Sequence, residues 1–154
     1  MPISVVTSNA INFIISTVII LVLCLFSDLG LTWYILLYPV VLLVQYVLIL
    51  GISFIVSALT VYIRDLEHII GVVLMAAFYA TPIVYRVDQL PANLQIIMKL
   101  NPMTYIIDGY RDILYNQCMP DMKMLGIILL IGIAVTIVGY LIFNRLQRRF
   151  AEEL

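Results

Sequence analysis

The chain has 154 residues, of which 64 % are hydrophobic and only 11 % carry a charged side chain. An ordinary soluble domain is about 45–50 % apolar and about 25 % charged, so this composition excludes a lone water-soluble domain. Disorder is excluded too, because disordered segments combine low hydrophobicity with high net charge, and the net charge here is −1. That charge provides no basic field, so no nucleic-acid partner is predicted. The sequence is typical of an integral membrane protein.

Four uncharged apolar stretches are long enough to form membrane-spanning helices. A helix needs roughly 20 apolar residues to cross about 30 Å of hydrocarbon. The predicted spans cover residues 9–26, 34–63, 69–85 and 124–143. The second is longer than the minimum and must tilt or project into water. We therefore predict an all-α integral membrane fold with four transmembrane helices, in which residues 1–154 form a single membrane domain.

A cleaved signal peptide is the competing interpretation of the first stretch. Signal peptides carry a positively charged N-terminal region and a cleavage site made of small residues. No Lys or Arg precedes Arg64, and the first stretch ends in Cys24-Leu25-Phe26-Ser27. A retained transmembrane helix is therefore favoured.

The distribution of basic residues addresses the orientation in the membrane. Four spans place both termini on the same side, and the basic residues divide equally between the two sides. Three arginines, Arg145, Arg148 and Arg149, follow the last span closely, with no acidic residue before Glu152. Because basic residues close to span ends are retained in the cytoplasm, both termini are predicted to be cytoplasmic.

A short charged corner, Arg64-Asp65-Leu66-Glu67-His68, connects the second and third spans. Charges at the end of a span are common, and an exposed ion pair contributes only about 0–1 kcal/mol. The corner is short, however, and it joins the two central spans. Arg64, Asp65 and Glu67 are therefore candidate functional residues.

The long connection over residues 86–123 is too apolar to be a plain solvated loop. Pro91 suits the start of one short helix, while Asn101 and Pro102 suit the N-cap and first position of the next.

In the second helix Tyr110 belongs to an apolar stripe at helical spacing, and the opposite face carries Thr104, Asp108 and Arg111. Asp108 precedes Arg111 by three positions, which is a spacing that favours an ion pair within a helix. The segment is predicted to form two short amphipathic helices that dip into the membrane interface or pack on the spans.

Motifs for catalysis are missing from the sequence. The chain has a single histidine and contains no HExxH, GxSxG or GxxxxGK[ST] pattern. We therefore predict that the chain is not an enzyme, holds no cofactor or metal, and does not bind ATP by itself. Acidic residues are also missing from the predicted spans, which argues against a proton-coupled transporter.

Several residues inside the spans have packing as their simplest interpretation. Gln45 either forms a hydrogen bond between helices or faces a wet path, and the first is favoured. The small residues Gly126, Gly132 and Gly139 would allow helices to approach closely. Aromatic residues near the membrane boundaries, such as Tyr38, are typical of an interfacial belt, although aromatic rings also stack well on sugars.

A set of short motifs in a fixed order resembles one family of transporters. The motifs are Val61-Tyr62-Ile63-Arg64-Asp65, Thr81-Pro82-Ile83-Val84-Tyr85, Leu90-Pro91, Leu100-Asn101-Pro102-Met103 and Tyr110-Arg111. Together they resemble the type-2 ABC-transporter permeases that export O-antigen, capsule and teichoic-acid polymers. Each motif alone is a weak signal, whereas the ordered set is fairly specific.

The resemblance implies a particular topology. Such permeases have six spans, and the four spans predicted here correspond to spans three to six, so the first two are expected to be missing. Both termini are then cytoplasmic, in the bacterial inner membrane. The helices of the 86–123 segment become extracytoplasmic gate helices, with the candidate residues Pro91, Asn101, Pro102, Tyr110 and Arg111.

The resemblance also implies partners. The corner would lie close to an ATP-binding ABC subunit. A second permease copy would form a homodimer around the path of a lipid-linked polymer. Four aromatic residues become candidates for that path: Tyr38, Tyr46, Tyr79 and Tyr85.

Two other functions share this sequence pattern. A type-2 ABC permease for a drug or a small lipid has the same architecture, and a truncated four-span chain could serve as a membrane scaffold without transport. The Asn101-Pro102 and Tyr110-Arg111 motifs favour polymer export.

The predicted topology can be tested by cysteine labelling. After Cys24 and Cys118 are replaced, single cysteines at Asn116 and Gln147 are treated in whole cells with a reagent that cannot cross the membrane. The even number of spans and the basic C-terminal end predict that position 116 reacts and position 147 does not. Reaction at 147 without reaction at 116 would invert the topology.

Overall fold

The computed structural model describes residues 2–26, 32–60, 63, 65–83 and 91–152. These residues form six α-helices and no β-strand: α1 Pro2–Phe26, α2 Tyr38–Thr60, α3 Leu66–Tyr79, α4 Ala92–Leu100, α5 Pro102–Arg111 and α6 Met122–Glu152. A 3₁₀ turn, Trp33–Leu37, leads into α2, and a π-helical turn, Asp112–Asn116, follows α5. The predicted all-α membrane fold is confirmed.

Three stretches of the described chain are long and apolar enough to cross a membrane. They are Pro2–Cys24, Trp33–Thr60 and Met122–Leu146. They match the first, second and fourth predicted spans, although the first helix begins at Pro2 instead of residue 9 and the last continues past residue 143. Neither extension contains a glycine, and Pro2 stands in the first turn, where proline is tolerated, so both helices run beyond the predicted spans.

The third predicted span differs from the observed helix. Helix α3 has 14 residues and is about 21 Å long, which is shorter than the hydrocarbon core. It ends at Tyr79 instead of continuing to residue 85 as predicted. Pro82 explains why the helix ends earlier than predicted, since proline lacks an N–H group and disfavours a helical conformation for Thr81. A fourth membrane crossing at this position stays a prediction.

Helices α2 and α6 are packed closely against each other. A Cβ atom added to Gly51 would lie 2.7 Å from the backbone nitrogen of Thr136, and one added to Gly139 would lie 2.8 Å from the carbonyl oxygen of Gly51. The Thr136 hydroxyl donates to the carbonyl oxygen of Val47 on the facing helix, at 3.0 Å. Gly139 therefore allows the approach that the sequence indicates, whereas Gly126 does not, because open space surrounds it.

Helix α5 lies against the α2–α6 pair and completes the core. Its Ile106 side chain is fully buried, together with Val41 and Val44 of α2 and with Leu125 and Ile128 of α6. Helix α1 contacts α2 and leaves most of its apolar residues exposed. We call α1, α2 and α6 together the body.

Helix α3 is buried mainly near its two ends. Leu66 at its start is 9 % exposed, and Thr81 and Pro82 just after its end are buried. Between them the apolar side chains are largely exposed, as Val72 at 70 % and Met75 at 64 % show. The helix is therefore attached to the rest of the described chain at its ends and hardly along its length.

The glycine contacts predict a difference between two alanine substitutions. Gly51→Ala places a methyl group against the backbone of Thr136 and should cost about 1–3 kcal/mol, the usual effect of overpacking. Gly126→Ala meets no atom within 4 Å and should leave stability unchanged or slightly raised, because alanine favours a helix. Thermal unfolding in detergent measures both. Equal midpoints for the two variants would contradict the close contact of α2 and α6.

Candidate functional site

Asn101 forms a junction between three parts of the chain. Its extended backbone ends α4, and its side-chain oxygen accepts a hydrogen bond from the Met103 backbone N–H at 3.0 Å, which caps α5. The side-chain nitrogen donates to the Thr81 hydroxyl at 3.0 Å. The predicted helix break at Asn101-Pro102 is confirmed. The contact with Thr81 has no signature in local sequence, because the two residues are 20 positions apart.

Thr104 occupies a buried position that the helical pattern does not indicate. The pattern places it on the polar face of α5, yet it is 2 % exposed. Its hydroxyl donates to the carbonyl oxygen of Met98 at 2.7 Å and so binds the last turn of α4 to the first turn of α5. The polar face of α5 is therefore a packing surface toward preceding segments of the chain.

Arg111 binds the residues that follow α3. One guanidinium nitrogen, Nη2, donates to the carbonyl oxygen of Pro82 at 2.9 Å and to that of Ile83 at 3.4 Å. The other, Nη1, contacts Asp108 Oδ1 at 3.0 Å, in the helical ion pair that the spacing predicts. Carbonyl groups at and beyond a helix end lack intrahelical partners, and the planar guanidinium supplies donors for them.

Tyr110, the neighbour of Arg111, binds on the other side of α5. Its hydroxyl donates to Gln45 Oε1 on α2 at 2.7 Å, and its ring lies 4.9 Å from the ring of Tyr38 and 5.7 Å from that of Phe13. Burial, with a smaller effect of Tyr38, raises the pKa of Tyr110 above its ordinary value, so the hydroxyl keeps its proton and remains a donor. Gln45 therefore has the packing role that the sequence favours.

Three of the four tyrosines predicted for a substrate path lie within the described chain, and each has different surroundings. Tyr38 is a core residue, and its hydroxyl is 2.6 Å from that of Thr17. Tyr46 is half-buried with its hydroxyl 3.0 Å from that of Thr7. Tyr79 is exposed on α3. The fourth candidate, Tyr85, lies outside the described residues.

A cavity of about 240 Å³ lies between α1 and α2 beside Tyr46. Its lining is mainly apolar, with polar groups from Asn9, Gln45 and Tyr46. Pockets for small ligands usually measure about 300–1,000 Å³, so this space is too small for a sugar polymer. Of the predicted path residues within the described chain, only Tyr46 lines it.

The charged corner is only partly within the described chain. Arg64 lies outside the described residues, while Asp65 and Glu67 are exposed at the start of α3. The carbonyl oxygen of Asp65 accepts from the Ile69 N–H at 3.3 Å, but its side chain forms no capping bond. Pro91 is exposed and precedes α4 as its N-cap residue, one position before the first helical position that the sequence predicts for it.

The site is thus a cluster in which α5 joins the end of α3 to the body. The sequence pattern indicates Asn101, Tyr110 and Arg111, but it does not indicate their partners. A signal for two of those partners is present in the sequence, because Thr81-Pro82 begins one of the motifs of the family resemblance.

Comparison with known proteins first defines the class. Residues 2–115 match the family described as ABC-2 type transporter, and this range includes the whole cluster of Thr81, Asn101, Tyr110 and Arg111. The chain belongs to this family of membrane transporters.

The curated relatives belong to one kind of transporter within this class. The chain is 31 % identical over 156 residues to the O-antigen export system permease protein RfbA of Myxococcus xanthus, covering 100 % of this chain and 60 % of that protein. It is 36 % identical over 116 residues to the protein of the same name from Klebsiella pneumoniae, covering 75 % of this chain and 44 % of the relative. The chain therefore spans about half the length of the curated relatives that it matches.

The Tyr110–Gln45 bond predicts a non-additive pair of substitutions. Tyr110→Phe removes one hydroxyl and leaves the half-buried Gln45 amide without its donor, which should cost about 1–2 kcal/mol. Tyr110→Phe combined with Gln45→Leu should cost less than the sum of the single variants, because both polar partners are then absent. Unfolding in detergent measures the cycle, with Tyr115→Phe on an exposed ring as the control. Additive costs would show that the bond contributes no stability.

Proposed function

We propose that this chain is a membrane permease subunit, or part of one, of an ATP-driven exporter of a lipid-linked polysaccharide or teichoic-acid-like polymer. One observation carries the proposal. A relative that bears the name O-antigen export system permease matches the chain over its full length. The names of the relatives favour polymer export over the transport of a drug or a small lipid, and over a scaffold without transport.

The proposed mechanism is conformational. An ATP-binding ABC subunit on a separate chain would hydrolyse ATP, and a second permease copy would form a homodimer with this one. Closure of the ATPase pair would move the helices and open a path for the polymer. Helices α4 and α5 suit the role of gate helices, since both are short and amphipathic, α5 packs on α2 and α6, and α4 contacts α5.

The proposed path involves the aromatic residues that are not part of the core. Tyr46 on α2 is only half-buried, and Tyr79 is exposed on α3. Tyr85, outside the described residues, belongs to the same group of candidates. The burial of Tyr38 makes it a packing residue and argues against a contact with the polymer.

The proposed placement is the bacterial inner membrane with both termini in the cytoplasm. The three arginines near the C-terminal end of α6 support this orientation. Arg64, Asp65 and Glu67 would then face the cytoplasm next to the ATPase, and α4 and α5 would lie at the opposite surface.

Export and ATP hydrolysis together test the function. In the complete permease, which includes the residues that the longer relatives have in addition, we expect the ATPase to co-purify and its turnover to rise when the lipid-linked polymer is added. Stimulation by a small lipid or a drug instead of the polymer would favour the other transporter class. Failure of an ATPase to bind would indicate a scaffold.

The same assay examines the charged corner. Arg64→Lys keeps the charge but loses planar bidentate hydrogen bonding, so hydrolysis should continue while export falls about tenfold. Arg64→Ala and Asp65→Asn should assemble with the ATPase and be uncoupled in the same way. Arg145→Lys, at an exposed position of α6, is the matched control and should export normally. Normal export by all the corner variants at equal membrane levels would reduce the corner to a solvated surface.

A further inference from the structure

Helix α3 is attached differently from the long apolar helices. It is buried at Leu66 where it begins and at Thr81 and Pro82 just beyond its end, and its middle is exposed. At its start the Leu66 N–H donates to the carbonyl oxygen of Ile63 at 3.2 Å. The intrahelical hydrogen bonds make α3 a stiff rod, and because it is held mainly at its ends, a displacement at one end reaches the other.

The far end of this rod is held by side chains of one neighbouring segment. Asn101 donates to the Thr81 hydroxyl, and Arg111 donates to the carbonyl oxygens of Pro82 and Ile83. Both residues also stabilise α5 itself, since Asn101 caps its first turn and Arg111 forms an ion pair within it. We call Asn101 and Arg111 the two anchors of α3. They lie at opposite ends of a helix of 10 residues, so the end of α3 cannot rotate about either residue alone.

The same helix holds the body through other residues. Tyr110 donates to Gln45 of α2, and Ile106 is fully buried in the core. A Cβ atom on Gly109 would lie 3.5 Å from both methyl groups of Val41, so the backbone of α5 is also close to α2. Two adjacent residues of α5 therefore bind different parts of the molecule: Tyr110 binds the body, and Arg111 binds the end of α3.

We propose that α5 connects α3 to the body, so that movement of α3 is transmitted to α1, α2 and α6 through Asn101 and Arg111 on one side and Tyr110 on the other. The purpose of this connection rests on the proposed transport function, whereas its geometry does not. Asn101 and Arg111 are positioning residues, because they act by holding the end of α3.

Conservative variants remove the contacts that hold the end of α3 and keep the interactions that stabilise α5. Asn101→Asp retains the oxygen that caps α5 and loses the donor to Thr81. Arg111→Lys retains the charge near Asp108, but a single ammonium group cannot bind the carboxylate and both carbonyl groups as the planar guanidinium does. Asn144→Asp combined with Arg145→Lys makes the same two changes on α6 and is the matched control.

Distances between spin labels measure how firmly α3 is held to α5. The full chain, with both native cysteines replaced, is reconstituted in lipid bilayers for this measurement. One pair joins the exposed positions Val73 on α3 and Tyr115 after α5, and a reference pair joins Leu43 on α2 and Leu130 on α6. In the Asn101→Asp/Arg111→Lys variant we expect the α3–α5 distribution to widen about twofold, because a segment that has lost its anchors opens locally. The α2–α6 distribution should stay unchanged, which shows that the body is still folded.

Two results would contradict the proposal that Asn101 and Arg111 hold the end of α3. An α3–α5 distribution as narrow as that of the unchanged chain would mean that other contacts hold the helix, and equal widening in the control variant would mean that the effect is not local. If the double variant fails to fold, as a widened reference pair would reveal, Thr81→Val removes the Asn101 contact from the α3 side with little change of shape. That variant should again widen the α3–α5 distribution, and a narrow one refutes the proposal.

The transport assay examines transmission separately. In the complete transporter, the anchor variant and Tyr110→Phe should keep the bound ATPase and its hydrolysis, while export falls about tenfold, within the usual range of coupling between sites. Full export by a variant whose α3–α5 distances have widened would refute transmission through α5. If the unchanged transporter exports no polymer, the proposed function fails, and the distance measurements still decide whether α5 anchors α3.

Discussion

The packing of α5, and through α5 that of the end of α3, depends on the close contact between α2 and α6. Gly51 and Gly139 lack the side chains that would separate the two backbones, and the Thr136 hydroxyl bonds across to Val47. In a membrane the hydrophobic effect adds little between apolar helices, so dispersion contacts and short polar bonds must hold them together. Helix α5 can bury Ile106 only because this pair presents a continuous apolar surface to it.

Polar side chains position α5 on that pair and the end of α3 on α5. Each polar group removed from water must find a partner, because in an apolar environment an unpaired one costs on the order of several kcal/mol. Tyr110 with Gln45, and Arg111 with the carbonyl groups after α3, satisfy this requirement across segments far apart in sequence. The bonds are directional, so they define where α5 and the end of α3 lie, which apolar contacts alone would leave free to slide.

Individual helix ends and buried residues show which features the sequence pattern predicts correctly and which it does not. The break at Asn101-Pro102 is predictable, because a cap and a proline act on the residues next to them. The predicted end of α3 is too late, since the apolar run continues past the point where Pro82 stops the helix. Residue type and spacing assign Thr104 to a polar face, and the family resemblance makes Tyr38 a candidate for a path, yet packing buries both side chains.

Composition, periodicity and local motifs were sufficient for the membrane class, the long helices, the two short helices and the family resemblance, because none of these signals depends on which distant segments contact each other. Tertiary contacts were needed to show which small residues bring helices together, as Gly51 and Gly126 illustrate. They were also needed to show that Arg111 reaches back to Pro82 and Tyr110 to Gln45, across 29 and 65 positions. Such contacts depend on how helices distant in the chain are arranged in space, and no local pattern encodes that arrangement.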